Sequence, residues 1–299
     1  MQKPYFGRLM TAMITCMNED GSINYDECAA HSEWLLENGS DAILVEGTTG
    51  ETPTFTQEEK LALIDAICQR IGGKAPIVVG AGSNNTAATA AYCKEIEEKF
   101  PAVNGLLIVG PYYNKPTQEG YYQHFATVAK ATKLPIIVYN VPGRTGSNIL
   151  PSTVARLAKD FDNIVAVKEA AGNVAQTAEL YRLCPEDFSI YSGDDGLVLP
   201  FMSVGAVGVI SVLANIGGKA LNDVMDAFQA GNIKLAADLN KTMVPLANAM
   251  FVESNPIPVK AAVTKVTPFN AGAPRLPLVP ISKAGEAKLD EALKAAGLL

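Results

Sequence analysis

Three runs decide the fold: Leu106-Leu107-Ile108-Val109, Pro135-Ile136-Ile137-Val138-Tyr139 and Ile164-Val165-Ala166-Val167-Lys168. Each is short, almost free of polar side chains and rich in branched residues, the pattern of strands buried on both faces. Their centres lie about 30 residues apart, the span of a strand, a helix and two loops. The same signal continues outward to Pro76–Gly80, Ala42–Val45 and Leu9–Thr15 on one side, and to Phe188–Tyr191 and Val207–Val212 on the other. Helical patterns fill the gaps. Thr56 and Glu59 make a Thr-x-x-Glu capping box, and Leu61, Ile64, Cys68 and Ile71 follow at 3-4-3 spacing. Asn24 and Glu27 allow a similar start before the second run, with Gly39 as a stop. Eight strands alternating with helices predict a parallel sheet, and eight is the number that closes a (β/α)8 TIM barrel. A doubly wound open sheet is the alternative. After Gly218 the chain turns Ala- and Leu-rich with no further strong strand. Residues 1–218 therefore read as the barrel, and 219–299 as a C-terminal helical extension packed on it, its last helix near Lys283–Ala296.

Composition narrows the function. The 299 residues are 48% hydrophobic and 18% charged, an ordinary globular balance. With 24 Lys+Arg against 31 Asp+Glu the net charge is −7, so nothing favours nucleic acid or anionic lipid as a partner. The two histidines, His31 and His124, are far apart, which argues against a His-rich metal centre. Five cysteines without a CxxC pair read as reduced thiols of a cytoplasmic protein. The N-terminus lacks the apolar run of a signal peptide. The uncharged part of Gly196–Gly218 is long enough to cross a bilayer. Pro200, Gly205, Gly208 and Asn215 split it into a short helix and a strand instead, so no membrane association is expected.

In such a barrel the chemistry belongs at the carboxyl ends of the strands. Lys168 ends a strand with no other polar side chain, on the face shared by Ala166 and Ile164. If that face points inward, the small Ala166 leaves room for the long side chain, and desolvation favours the free amine that attacks carbonyls. The other reading is an ammonium paired with Glu169 or reaching solvent. Gly47-Thr48-Thr49-Gly50 offers backbone N–H groups and two hydroxyls, suited to a small carboxylate; a plain glycine turn would read the same. Tyr139, one strand before Lys168, can relay protons or simply be a core tyrosine. Arg144, between Gly143 and Gly146, suits a bidentate carboxylate contact or a surface position. Gly80-Ala81-Gly82-Ser83-Asn84-Asn85 lacks the third glycine of a dinucleotide fingerprint, and Gly217-Gly218-Lys219-Ala220 lacks phosphate-loop spacing. Asp194-Asp195 has no third ligand nearby and reads as a helix N-cap before Leu197.

Taken together, Gly47-Thr48-Thr49-Gly50-Glu51, Tyr139-Asn140-Val141-Pro142-Gly143-Arg144-Thr145-Gly146 and Val167-Lys168-Glu169 resemble the dihydrodipicolinate synthase family of Schiff-base pyruvate aldolases. The likeness extends to Ser192-Gly193-Asp194-Asp195, Gly208-Val209-Ile210-Ser211 and Glu253-Ser254-Asn255-Pro256-Ile257-Pro258-Val259-Lys260, essentially the whole chain. The resemblance implies a cofactor-free and metal-free lyase in which Lys168 condenses with pyruvate and the resulting enamine attacks L-aspartate-4-semialdehyde. The product is 4-hydroxy-tetrahydrodipicolinate, on the route to lysine and diaminopimelate. By the same resemblance Thr48 and Thr49 hold the pyruvate carboxylate. Tyr139, Thr48 and Tyr113 form a proton relay, with Tyr113 reaching in from a neighbouring subunit. Arg144 binds the semialdehyde carboxylate, and Gly193 and Ile210 line the site through backbone atoms. A homodimer is then the minimal unit and a tetramer the usual one. Adjacent Tyr112 and Tyr113 suit an interface, or packing within one chain. The Arg-Thr-Gly element points to the synthase branch. The alternatives are another pyruvate aldolase with a sugar-acid or hydroxy-oxo-acid substrate, or a non-catalytic acid-binding barrel.

Two departures from the family pattern stand out. Members inhibited by lysine carry an acidic residue and a histidine where this chain has Ala88 and Lys60, with Gln57 at another position that is often histidine. Loss of the carboxylate removes a partner for the ligand ammonium, and Lys60 adds like charge. Feedback by lysine is therefore expected to be weak or absent. Glu46, before the Gly-Thr-Thr-Gly element, is also unlike the family, and the sequence offers no account of it.

Overall fold

A computed structural model describes residues 3–299. Its strands are β1 (Leu9–Ala12), β2 (Ala42–Val45), β3 (Ile77–Gly80), β4 (Gly105–Val109), β5 (Ile136–Asn140), β6 (Ile164–Glu169), β7 (Ser189–Ser192) and β8 (Gly208–Ser211). They form a closed barrel in chain order, which settles the choice against an open doubly wound sheet.

Two compact units divide the chain. The first runs from Pro76 to Ile210 together with the N-terminal segment up to Arg8. Its strands are buried almost continuously because both faces are covered, so apolar runs replace alternation, as in Leu106–Val109 and Ile136–Val138, and polar side chains gather toward the strand ends. The register aligns Val109 with Tyr139, Tyr139 with Lys168 and Lys168 with Tyr191. The ladder between β5 and β6 slips at one point: Ile136 faces Ile164, but Ile137 faces Ala166. Val165 is the extra residue, and unlike its strand neighbours it is only half-buried. The alternation expected from Ile164 to Lys168 is thus unbroken only from Ala166 onward. The uncharged stretch 196–218 is divided as its glycines suggest, into short helical turns (Asp195–Leu197, Val198–Met202), β8 and a further turn. Among the described residues no helix is long and apolar enough to cross a membrane.

The second unit comprises Leu9–Ala75 and Ser211–Leu299. The helix Gln57–Ile71 opens on the full capping box: the Glu59 amide donates to Thr56 Oγ1 (3.2 Å), and the Thr56 amide to Glu59 Oε2 (2.9 Å). At Tyr25–Glu37 only half the box forms. Asn24 accepts from the Glu27 amide, while the Glu27 carboxylate is drawn away to the Asn270 amide (2.8 Å). After β8 come the helices Lys219–Gln229, Ile233–Ala249, Ile257–Val266 and Lys283–Ala295, and among the described residues no further strand.

A buried ion pair in this unit has no local signal in the sequence. Lys260 Nζ donates to Glu51 Oε1 (2.7 Å), Thr15 O (3.1 Å) and Ala273 O (3.3 Å), while Glu51 Oε2 accepts from the Arg275 amide (2.7 Å). The two side chains are 2% and 1% exposed. With every ammonium hydrogen and both carboxylate oxygens engaged, removing one partner strands a buried charge. Lys260→Met is expected to lower stability by about 3–5 kcal/mol, and Lys260→Met/Glu51→Leu to recover most of it. Thermal and urea unfolding check this; an unchanged midpoint in the single variant contradicts it.

Candidate active site

Lys168 stands one residue before the end of β6, directly beside Tyr139 of β5, and its Nζ lies 4.6 Å from the centre of the Tyr139 ring. The lysine is 5% exposed, so it does not extend into solvent. Nor does it pair with Glu169. Successive strand residues face opposite ways, and the Glu169 carboxylate is occupied by the Asn140 side chain, the Ala171 amide and the Gln176 side chain. Burial lowers the Lys168 amine to about 8; the Asp195 carboxylate opposes this shift, and the Arg144 guanidinium reinforces it. Near neutral pH an appreciable fraction is therefore the free amine, the form that attacks a ketone.

The other candidate residues of the first unit lie at the ends of β5, β7 and β8. Tyr139 is 7% exposed at the end of β5. Arg144 is exposed on the short helix Pro142–Thr145, which Gly146 closes in the left-handed region (φ 75°). The Gly193 amide donates to Glu169 O (2.8 Å), and a Cβ at Gly193 would stand 2.6 Å from Ala170 Cβ, so only glycine allows this close approach beside Lys168's strand. Ile210 is buried on β8, one residue beyond Val209, which pairs with Ser192. Asp194 caps the following turn by accepting from the Gly196 amide (2.9 Å). Its neighbour Asp195 is buried and supplies the negative charge felt by Lys168, a part the sequence reading did not assign. Tyr113 differs from all of these. It follows β4, has φ 70° and is 90% exposed, so packing within this chain is not its state.

The second unit carries the two threonines. Thr48–Gly50 is a single tight turn following β2. Thr49 is buried and its Oγ1 accepts from Asn255 Nδ2 (3.0 Å), which leaves the hydroxyl hydrogen available for a further acceptor. Thr48 is half-buried. The turn is tied down at both ends: Thr52 Oγ1 donates to Gly47 O (3.0 Å) and Thr15 Oγ1 to Gly50 O (2.8 Å). Glu46 and Glu51, which bracket it, both adopt left-handed backbone (φ 59° and 60°), a strained setting for residues with side chains. Nothing further in the structure explains why position 46 is glutamate. Asn255 and Lys260 both stand in the Glu253–Lys260 motif, but no local signal shows that they reach back over 200 residues to Thr49 and Glu51.

A closed (β/α)8 barrel with a buried, partly deprotonated lysine at a strand's carboxyl end defines a class, the barrel enzymes that work through a Schiff base. Within it the chain belongs to the dihydrodipicolinate synthetase family, whose model matches residues 5–296. It is 50% identical over 274 residues to the 4-hydroxy-tetrahydrodipicolinate synthase of Desulforamulus reducens, covering 92% of each chain. It is 48% identical over 293 residues to that of Heliobacterium modesticaldum, covering 98% of this chain and 96% of the relative. Among solved structures, the enzyme from Cyanidioschyzon merolae with lysine bound superposes with a TM-score of 0.96 at 40% identity, covering 99% of this chain and 100% of that one.

Proposed function

We propose that this chain condenses pyruvate with L-aspartate-4-semialdehyde to form 4-hydroxy-tetrahydrodipicolinate, with Lys168 as the imine-forming residue. The observation that carries the reading is the Lys168 amine, buried beside Tyr139 and lowered to about 8. In the proposed reaction Nζ adds to the keto carbon of pyruvate, and loss of water gives an iminium. The positive nitrogen draws electrons from the adjacent methyl group, which loses a proton to become an enamine carbon. That carbon bonds to the aldehyde carbon of the semialdehyde, and the aldehyde oxygen takes up a proton to become the 4-hydroxyl. The semialdehyde's amino group then displaces Lys168 from the imine, closing the ring and regenerating the amine. One water is released overall.

The remaining assignments follow the charges that each step creates. Thr48 and Thr49 hold the pyruvate carboxylate through amide and hydroxyl donors. Tyr139, Thr48 and Tyr113 carry protons between carbinolamine, enamine and aldehyde oxygen. Arg144 binds the semialdehyde carboxylate, and Gly193 and Ile210 present backbone atoms to the substrates. Tyr113, extended from its own chain, serves the site of a second copy, so a homodimer is the minimal active unit and a tetramer its further assembly. The setting is cytoplasmic synthesis of lysine and diaminopimelate. The test is a coupled assay with pyruvate and a panel of aldehydes. Turnover restricted to aspartate semialdehyde supports the reading, whereas preference for a sugar-acid aldehyde overturns it.

Ala88 sits exposed in the first turn of the helix Thr86–Lys99, where it offers no carboxylate to a ligand ammonium. Millimolar lysine is accordingly expected to leave the rate within about twofold of its starting value. Half-inhibition below 1 mM, on the order of a few kcal/mol of binding, contradicts this.

A further inference from the structure

Behind the lysine, on the opposite face of β6, a polar clasp joins two parts of the candidate site. Tyr139 stands opposite Lys168 in the register, and Asn140 opposite Glu169. Glu169 and Asn140 are each 1% exposed. Asn140 Nδ2 donates to both Glu169 oxygens (3.2 and 3.0 Å) and to Asn148 Oδ1 (2.8 Å). Asn140 Oδ1 accepts from the Ile149 amide (3.0 Å). Glu169 Oε1 also accepts from the Ala171 amide (2.7 Å), and Oε2 from Gln176 Nε2 (3.0 Å). Gln176 Oε1 in turn accepts from Asn148 Nδ2 (2.8 Å).

The donor count dictates the chemistry of the centre. Amide N–H groups from three residues converge on the two Glu169 oxygens, and none of the three offers Glu169 an acceptor. Only a group that accepts at both oxygens satisfies them, which means a carboxylate and not a carboxamide. Asn140 and Ile149 are the two ends of the segment that carries Arg144. The Asn140 side chain closes that loop through the Ile149 amide and Asn148, and Glu169 fixes the orientation of Asn140. A single carboxylate, one residue after Lys168, therefore anchors the loop that presents the guanidinium.

We propose that Glu169 is a positioning residue for the second substrate: through Asn140 and Gln176 it sets the Val141–Asn148 loop, and with it Arg144, relative to Lys168. This rests on the proposed role of Arg144 as ligand of the semialdehyde carboxylate. The clasp lies on the face away from the lysine amine, so imine formation with pyruvate is left intact and capture of the aldehyde is not. A guanidinium displaced by about 1 Å loses much of its advantage, because orientation on that scale carries large factors in rate and affinity.

The experiment compares wild type, Glu169→Gln and Gln176→Leu. Two quantities are read: the pyruvate concentration giving half-maximal borohydride trapping on Lys168, and KM for aspartate semialdehyde in the coupled assay. Glu169→Gln is expected to raise the semialdehyde KM by roughly tenfold or more while pyruvate half-saturation stays within about twofold. Gln176→Leu, which removes one donor to Glu169 and the amide bonds to Asn148 from a half-buried position, should move the same KM by about threefold in the same direction. If Glu169→Gln does not fold, Gln176→Leu decides alone. An unchanged semialdehyde KM in the folded variants overturns the proposal, and so does a loss of pyruvate trapping in step with it. Failure of wild type itself to trap pyruvate is a different result, and strikes the reading of Lys168 instead.

Discussion

Lys168→Ala is expected to eliminate turnover. In the coupled assay with pyruvate and aspartate semialdehyde, kcat/KM is expected to fall by roughly four orders of magnitude or more, as it does when the covalent centre of an enzyme is removed. The physical ground is that alanine supplies no nucleophile and no nitrogen to act as an electron sink, so the methyl group of pyruvate stays unreactive. The fold should survive. The truncation removes an amine whose burial costs solvation, and it leaves the neighbouring hydrogen-bonded clasp on the other face of β6 in place. Equal unfolding midpoints for wild type and variant separate lost chemistry from lost structure. Residual activity above about 1% of wild type, a loss of only two orders of magnitude, means that carbon–carbon bond formation does not depend on this amine.

The second large effect is expected at Tyr139. Tyr139→Phe deletes one oxygen and keeps the buried ring whose centre lies 4.6 Å from Lys168 Nζ. Proton transfer by a positioned side chain contributes about 10²–10⁴ to rate, so kcat should fall within that range. Pyruvate half-saturation should change far less, because the Thr48–Gly50 turn is untouched. A kcat reduced by less than about tenfold excludes the phenol from the relay. A pyruvate KM that rises as steeply as kcat falls makes the phenol a ligand for the substrate and not a carrier of its protons.

Most strand positions were legible because both-face burial leaves a strong local mark, as at Ala42–Val45, which runs as expected. Strand ends were less legible, for reasons that lie elsewhere in the chain. The apolar run Leu9–Thr15 suggests seven residues of strand, yet β1 stops at Ala12. The amide of Ile14 donates to Asn215 Oδ1 (2.9 Å), and Asn215 Nδ2 donates to Ala12 O (2.9 Å). A side chain from the turn after β8 thus takes the place of the strand ladder. Val165 is similar: nothing in Ile164-Val165-Ala166 marks the residue at which the β5–β6 register slips.

The candidate site divides along the same line. Lys168, Tyr139 and the Thr48–Thr49 turn were visible as residues of suitable chemistry at strand ends. What holds them was not visible, because it depends on contacts across long sequence separations or on which way a side chain points. Glu169 is the clearest example. Adjacency to Lys168 suggested a salt bridge, but adjacent strand residues point apart, and the carboxylate serves Asn140, Ala171 and Gln176. Asp195 was read only as part of a cap, although its charge acts on the lysine.

The most direct measurement is borohydride trapping with pyruvate across a pH series, with the modified residue located by peptide mass spectrometry. An amine lowered from its ordinary value to about 8 is mostly ammonium below that pH and mostly free above it. The initial trapping rate should therefore climb through pH 8 and level off beyond it, with the reduced pyruvate adduct on Lys168 alone. No adduct, an adduct on another lysine such as Lys260, or a rate still rising at pH 10 would contradict the account.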